Sequence, residues 1–377
     1  MLCSTTPVAT ALDTLEDPNA ETNESYFFGF GDDVLDVALG IDAYWKNRWI
    51  FDRPMLPTGV YDGDVVIVGS GPSLDVNLAR LKSVQDSCLI VASHSAIPRL
   101  MAEGIIPHVI CPKERLPDIQ KIPEPLPDSV IYAGLPLVPH APVMCKRQYL
   151  VGDCGKLSKW LGIYNGSIGV CPTSGTLAAW IGGRMSTGTI WLLGHDMTIG
   201  HYSGFKFREE TTIGEIECVD GIKRPSTRIY RACQDNLRAL ATGCPVVQTA
   251  PRGAQIEGAE HGPFEPDIGP KPDLPYDETP VHRPCVSRMA AIPEIWPKAL
   301  AGIERAKSHE DLTAGALFDP EHFELGCSLS QTIYLQVSIL RRTLPLTDDQ
   351  AFAMLKEAMS NTYRGLLPWA RSIHGPT

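Results

Sequence analysis

The stretch Asp64-Val-Val-Ile-Val-Gly-Ser-Gly-Pro-Ser-Leu-Asp75 restricts the possible folds more than any other part of this 377-residue chain. Val65 to Val68 is an unbroken β-branched run, the pattern of a strand buried on both faces, as in a parallel sheet covered by helices. Gly69 and Gly71 then make a tight turn, and Leu74, Leu78 and Leu81 follow at helical spacing. A strand, a glycine turn and a helix start leave the first backbone N–H groups of the helix unpaired at the positive end of its dipole, which suits a phosphate. The glycines matter because a Cβ would hold a ligand away from the backbone. On this reading Gly69, Ser70, Gly71, Pro72 and Ser73 line a nucleotide or phosphate site, unless the segment is an ordinary turn that binds nothing.

The dinucleotide fingerprint asks for a third glycine where Leu74 stands and for an acid at the end of the second strand, where Ser93-His94-Ser95 stands. A plain dehydrogenase is therefore disfavoured. Downstream, buried strands alternate with helices: Cys88–Ala92, a helix near Ile97–Ala102 stopped at Gly104, Val109–Cys111, Val130–Ala133, a helix over Thr176–Ile181, Thr189–Leu193 and Val246–Gln248. This alternation predicts an α/β fold with a Rossmann-like, doubly wound and mostly parallel sheet.

Around that domain the chain divides by composition. Residues 1–25 are polar and mildly acidic and read as a mobile arm. Residues 26–60 hold Phe27, Phe28, Phe30, Tyr44, Trp45, Trp49 and Phe51 and read as an aromatic cap on the main domain or as a partner surface. The sheet domain occupies 61–262, and a Pro- and acid-rich linker 263–284 leads to a helical C-terminal extension over 285–377. Helical periodicity marks Ala290–Ala306, Leu329–Leu340 and Thr347–Tyr363, the last opened by Thr347 as N-cap. The extension braces the sheet domain or builds a homo-oligomer.

The net charge of −11 argues against broad nucleic-acid binding. No run approaches the ~20 apolar residues of a membrane span, and Met1-Leu-Cys-Ser-Thr-Thr-Pro7 lacks a secretory signal, so a cytoplasmic location is expected. Eleven scattered cysteines without a Cys-x-x-Cys pair are expected to be reduced, packed thiols and not zinc ligands.

In an open parallel sheet, ligands collect at the carboxyl ends of the strands. The polar residues there are Ser93 and His94 after the second strand, Cys111, Lys113 and Arg115 after the third, Thr173, Ser174 and Gly175 at a helix start, and His195, Asp196 and His201 after Leu193. Thr173–Gly175 is a second anion cradle or a plain N-cap. Lys113 and Arg115 meet a phosphate or belong to a solvated loop with Glu114. His201, or failing that His195, is the candidate general base toward an acceptor hydroxyl, with Asp196 anchoring the loop between them. No metalloprotease motif, Walker motif or nucleophile elbow occurs, which removes classical P-loop and hydrolase readings.

The order of these motifs is more specific than any of them alone. Val66-Ile-Val-Gly-Ser-Gly-Pro-Ser-Leu74, Gly104-Ile-Ile-Pro107 leading to Cys111-Pro112, Thr173-Ser-Gly-Thr-Leu-Ala-Ala179 and Ile190-Trp-Leu-Leu-Gly-His-Asp196 resemble the MptE-like family, as does Gly253-Ala-Gln-Ile-Glu-Gly258 at the close. That family contains 6-hydroxymethylpterin diphosphokinases and the motility accessory factor (Maf) glycosyltransferases, and is similar in pattern to bacterial sialyltransferases that use CMP-sugars. The resemblance implies a transferase with a nucleotide-activated donor and a hydroxyl-bearing acceptor. A CMP-sugar donor and glycosyl transfer are favoured; the alternatives are diphosphate transfer from ATP and a non-catalytic nucleotide-binding or interaction module. Many members carry Asp at the positions of His108 and Cys111, and without those carboxylates no metal ligand is assigned here. Magnesium is expected only with the ATP alternative.

Overall fold

The computed structural model describes residues 47–113, 126–135, 145–152, 163, 171–198, 212–277, 279, 290–308, 311 and 347–372. The arm over 1–25, the aromatic cap up to Lys46 and the helix expected at Leu329–Leu340 lie outside these residues. The chain forms two units, one of Asn47–Cys154 with Tyr164–His282 and one of Met1–Lys46, Gly155–Ile163 and Arg283–Thr377.

In the first unit the β-branched run forms β1 (Val65–Val68), and the glycine turn leads into α1 (Leu74–Val84). There follow β2 (Leu89–Ser93), α2 (Ile97–Ala102), β3 (Val109–Cys111), β4 (Ile131–Tyr132), β5 (Arg147–Gln148), α3 (Ser174–Met185) and β6 (Ile190–Leu193). An antiparallel hairpin of β7 (Thr212–Glu217) and β8 (Lys223–Thr227) precedes α4 (Arg228–Ala241), β9 (Val246–Gln248) and β10 (Glu260–His261). The main sheet has eight strands in the order β10-β9-β6-β1-β2-β3-β4-β5, every pair parallel, which is the α/β architecture expected from the strand–helix alternation. The hairpin, β5, α4 and β10 were not expected from the sequence.

All four side chains of β1 and all five of β2 are buried, so the centre of the sheet is covered on both faces. Helix α3 supplies Leu177, Ala178, Ile181 and Met185 to the core shared with Val65, Ile67 and Val91. It lies close because of Gly182: a Cβ there would stand 2.3 Å from Ile67 Cδ1. Gly104 stops α2 as expected, with φ +69° beyond Glu103.

The Pro- and acid-rich segment is bonded to the sheet. Residues 267–270 lie at the amino ends of β1 and β2, and residues 274–276 meet β5. The Asp267 N–H donates to Asp64 Oδ2 (2.9 Å), the Gly269 N–H to Ser87 O (3.0 Å), and the Gln148 N–H to the Tyr276 hydroxyl (2.9 Å). Arg147 covers the Tyr276 ring at 5.0 Å and donates to Leu274 O at 2.9 Å. Tyr61, whose hydroxyl is pushed up to about 12 chiefly by burial, lies 2.9 Å from Pro270 O and 3.1 Å from Ser87 O. Residues 50–56 also pack on this unit: Ile50, Phe51 and Leu56 are buried, and the backbone at Leu56 pairs with Leu150.

In the second unit α5 (Ile292–Arg305) packs on α6 (Asp348–Ser372). Trp296 stacks on Tyr363 at 4.9 Å and donates to its carbonyl at 2.9 Å. Thr347 caps α6 as expected: its hydroxyl accepts the Gln350 N–H (3.3 Å) and Gln350 Oε1 accepts the Thr347 N–H (2.9 Å). Among the described residues no helix is long and apolar enough to cross a membrane. The described cysteines are free thiols, and all but Cys244 are buried.

Two buried groups at the amino ends of the strands carry consequences for stability. Asp64 accepts from the Thr189 N–H (2.9 Å), the Trp191 indole (2.8 Å) and the Asp267 N–H (2.9 Å). Because each buried donor left without an acceptor costs about 1–3 kcal/mol, Asp64→Ala is expected to lose about 3 kcal/mol or more in urea unfolding; a loss under about 1 kcal/mol would remove Asp64 as a hub.

His108 Nδ1 accepts the Ile90 N–H at 3.1 Å. Burial above all, and Lys271, lower its imidazole to about 4, while Asp86 opposes this. The group is depressed on folding, so its contribution is full above the unfolded value of about 6.5 and is lost as pH falls toward 4, by about 3 kcal/mol in all. His108→Asn keeps an acceptor without titrating, and its stability should stay flatter than wild type in denaturant melts between pH 7 and 4. Parallel pH profiles would show the effect lies elsewhere.

Candidate functional site at the carboxyl ends of the strands

The chain leaves β1 toward β2 through β5 and returns to the other side of β1 at β6, so the winding direction reverses between β1 and β6. That reversal is where open α/β sheets hold ligands. The loops that meet there are Gly69–Ser73 after β1 and Gly194–Met197 after β6, with Ser93–Ser95 beyond β2, Lys113 beyond β3 and the start of α3 nearby.

Most donors of the glycine turn are already engaged. Gly69 N–H donates to Leu193 O (2.8 Å), Gly71 N–H to Gly194 O (2.9 Å) and Leu74 N–H to Gly71 O (3.0 Å). Ser73 donates twice to Asp196 Oδ2, from its N–H at 3.2 Å and its hydroxyl at 2.8 Å. The anion expected at the start of α1 is thus supplied by the chain itself. The glycines serve the contact between the two loops: a Cβ on Gly69 would lie 2.5 Å from Gly194 O, and one on Gly71 would lie 2.1 Å from Asp196 Oδ2. Burial pushes the Asp196 carboxyl above its usual range, against the two Ser73 bonds and the neighbouring His195. Met197, next in the chain, holds φ +52°, the left-handed region that a non-glycine residue rarely adopts, and its carbonyl accepts the Ser226 hydroxyl at 3.0 Å.

His195 is a brace in this geometry. Its Nδ1 lies 3.1 Å from Leu193 O and its Nε2 3.4 Å from Gly175 O, so the buried ring joins the end of β6 to the first turn of α3. Burial lowers its pKa, opposed by both carbonyls and Asp196. Both nitrogens lie beside backbone carbonyls, so the ring links β6 to α3 whichever tautomer it holds. His201 lies outside the described residues, as do Glu114 and Arg115.

The remaining expected residues divide into two groups. Ser70, Ser93 and Ser95 form a line of hydroxyls across the ends of β1 and β2, with Ser95 donating to Ser70 (2.9 Å) and lying 3.4 Å from Ser93; His94 beside them is buried, while Pro72 is exposed. Cys111 belongs to the core instead: it is fully buried, and burial with Cys171 nearby pushes its thiol well above the usual range. Lys113 Nζ donates to Cys171 O, two residues before Thr173, which brings a cation to the start of α3. Thr173 is the N-cap in a full capping box with Thr176, and the first turn of α3 carries no acid. The structure therefore brings Lys113 and Thr173 together, and ties Gly175 through His195 to the end of β6.

A divalent cation has a poor donor set here. Among the described residues no three His, Cys, Asp or Glu side chains converge to hold a metal, and Asp196 Oδ2 is engaged by Ser73. The position of His108, where relatives were expected to carry Asp, precedes β3 at the amino edge of the sheet, the edge opposite the crevice. A carboxylate there would meet the Ile90 N–H.

The same contacts leave no room to enlarge Gly71 without cost to the fold. Gly71→Ala is expected to destabilise by the ~1–3 kcal/mol of an overpacked site, with only partial relief from a second change, Asp196→Ala, because Gly194 O would still lie 2.7 Å from the new Cβ. Thermal or urea melts of the two variants check this, and an unaltered midpoint for Gly71→Ala would refute the contact.

Residues 54–201 match the family model described as 6-hydroxymethylpterin diphosphokinase MptE-like; the match ends short of Gly258, where the sequence resemblance was expected to close. The solved structure of a MAf glycosyltransferase from Magnetospirillum magneticum AMB-1 is similar with a TM-score of 0.60 and 15% identity, over 98% of this chain. The chain spans 64% of the length of that protein, and at this identity the likeness is one of fold. No curated protein matches. Residues 54–201 are thus similar to the MptE-like family, within the parallel sheet and glycine turn described above.

Proposed function

We propose that this domain is a transferase that binds a nucleotide-activated donor at the carboxyl ends of its strands and moves a sugar from a CMP-type donor to a hydroxyl acceptor. The observation that carries the reading is the start of α3, where Lys113 Nζ lies on Cys171 O beside a capped helix end without an acidic residue. A helix N-terminus and a lysine together favour a phosphate oxygen, and more so as negative charge grows on a departing phosphate. The family match and the glycosyltransferase fold neighbour support the transferase class.

In this reaction the bond from the sugar carbon to the donor phosphate oxygen breaks and a bond to the acceptor oxygen forms. The phosphate leaves with the electron pair toward Lys113 and the Ser174 and Gly175 backbone. The acceptor proton passes to a general base, for which His201 is the residue of the right chemistry in this stretch of sequence. The hydroxyls of Ser70, Ser93 and Ser95 face the nucleoside. The family description also names diphosphate transfer; we rank it second because Asp196, the acid at the crevice, is already engaged by Ser73.

A thermal-shift panel of CMP, CDP, UDP, GDP and ATP, with and without magnesium, tests this, since a ligand at ~100 times its Kd stabilises by ~2.7 kcal/mol. A CMP shift that is lost in Lys113→Ala is the expected outcome. A shift confined to ATP with magnesium would favour diphosphate transfer, and no shift with any nucleotide would favour a non-catalytic module.

A further inference from the structure

We infer that Asp196 sets donor specificity by charge: it turns polyphosphate away from the glycine turn, so that the turn receives the uncharged part of the donor and one phosphate lies at the start of α3. This rests on the proposal above that the crevice takes a nucleotide.

The two helix starts at the crevice differ in sign. At α1 the positive end of the helix is already answered: Asp196 Oδ2 takes the Ser73 N–H at 3.2 Å and its hydroxyl at 2.8 Å, and two donors aimed at one oxygen suit the ionised carboxylate. Asp75 adds a second acid in the first turn, but it is exposed and paired with Arg99 at 2.9 Å, so solvent weakens its effect. Asp196 is only 6% exposed, and its field is screened far less. The seat is also filled. A phosphate oxygen at the Ser73 N–H would have to displace Oδ2, which Gly71 already approaches so closely that a Cβ would come within 2.1 Å.

At α3 the signs are opposite, because the first turn has no acid and Lys113 Nζ lies beside it. A nucleotide with one phosphate can place its charge at α3 and its nucleoside across the serines. Each further phosphate adds a charge that interacts unfavourably with the buried Asp196. At the distances of a nucleotide-sized site and an effective dielectric of ~20–40, one such charge pair is worth about tenfold in affinity.

The test varies phosphate number at constant base. CMP, CDP and CTP, with AMP, ADP and ATP in parallel, are titrated calorimetrically without divalent metal at fixed ionic strength into wild type, Asp196→Asn and Ser73→Ala. Wild type is expected to bind the monophosphate at least as tightly as the triphosphate. Asp196→Asn, which keeps an acceptor for Ser73 but loses the charge, shifts the ratio toward the triphosphate by about tenfold; Ser73→Ala, which keeps the charge, preserves the wild-type ratio. A ratio unchanged in Asp196→Asn, or a wild type that prefers CTP to CMP, overturns the charge role while nucleotide binding stands. If wild type binds no nucleotide, the donor-site proposal falls and this inference falls with it. Should Asp196→Asn not fold, the wild-type ratio decides: CMP bound at least as tightly as CTP supports the inference, and a preference for CTP overturns it.

Discussion

The carboxyl end of this sheet is organised by the contact between two loops too close for any Cβ between them. The turn after β1 and the turn after β6 share backbone bonds from Gly69 to Leu193 and from Gly71 to Gly194, and Asp196 closes the contact on Ser73. Three constraints meet at that point: strand pairing sets the loops side by side, glycine removes the steric barrier, and a carboxylate answers a helix dipole. The placement of α3 follows, since His195 extends from the same loop to Gly175 O and fixes the second helix start relative to the first. The residues around the crevice are therefore mechanically linked, and a change at one glycine is felt at Asp196, at Ser73 and at the beginning of α1.

The opposite end of the sheet is held by a different device. A proline-rich strap cannot form regular structure with its own backbone, yet it can supply scattered donors and carbonyls to a sheet that needs them. Asp64, Ser87, Tyr61 and Gln148 each take or give a bond to this strap, and Arg147 with Tyr276 covers the β5 edge. An uncovered edge strand is open to pairing with other chains. The strap thus protects the short β5 strand while tightening the amino ends.

What could be read from the sequence was what local chemistry determines. Val65–Val68 has only one comfortable environment, and the structure has the strand with those bounds. The start of α3, the stop at Gly104 and the cap at Thr347 were also legible, because each depends on residues within a turn of it. The hairpin was hidden by Pro225 inside β8, which argues against a strand in any sequence reading, and β10 was hidden because both of its residues are polar and exposed. The site was legible in position and not in wiring. Strand-end logic located Ser73, Asp196, Lys113 and Thr173, but the Ser73–Asp196 bond spans 123 residues, and no local pattern reports it. The glycines were a partial signal: Gly69 and Gly71 at one strand end and Gly194 at the end of another mark two loops in contact as readily as a loop meeting a ligand.

The strap also affects how the chain can fold as it is synthesised. β1 is among the first strands made, but one of its neighbours, β6, is encoded some way downstream, and the acceptor at Asp64 meets its last donor only at Asp267, 203 residues later. Contacts this distant in sequence carry a large loop-closure cost and slow the search for the native state. While the strap is still within the ribosome, Asp64 lacks that partner and the β5 edge lacks its cover. From the synthesis of β5 until residues 267 to 276 follow, the nascent chain lacks the contacts that the strap gives to Asp64 and Gln148.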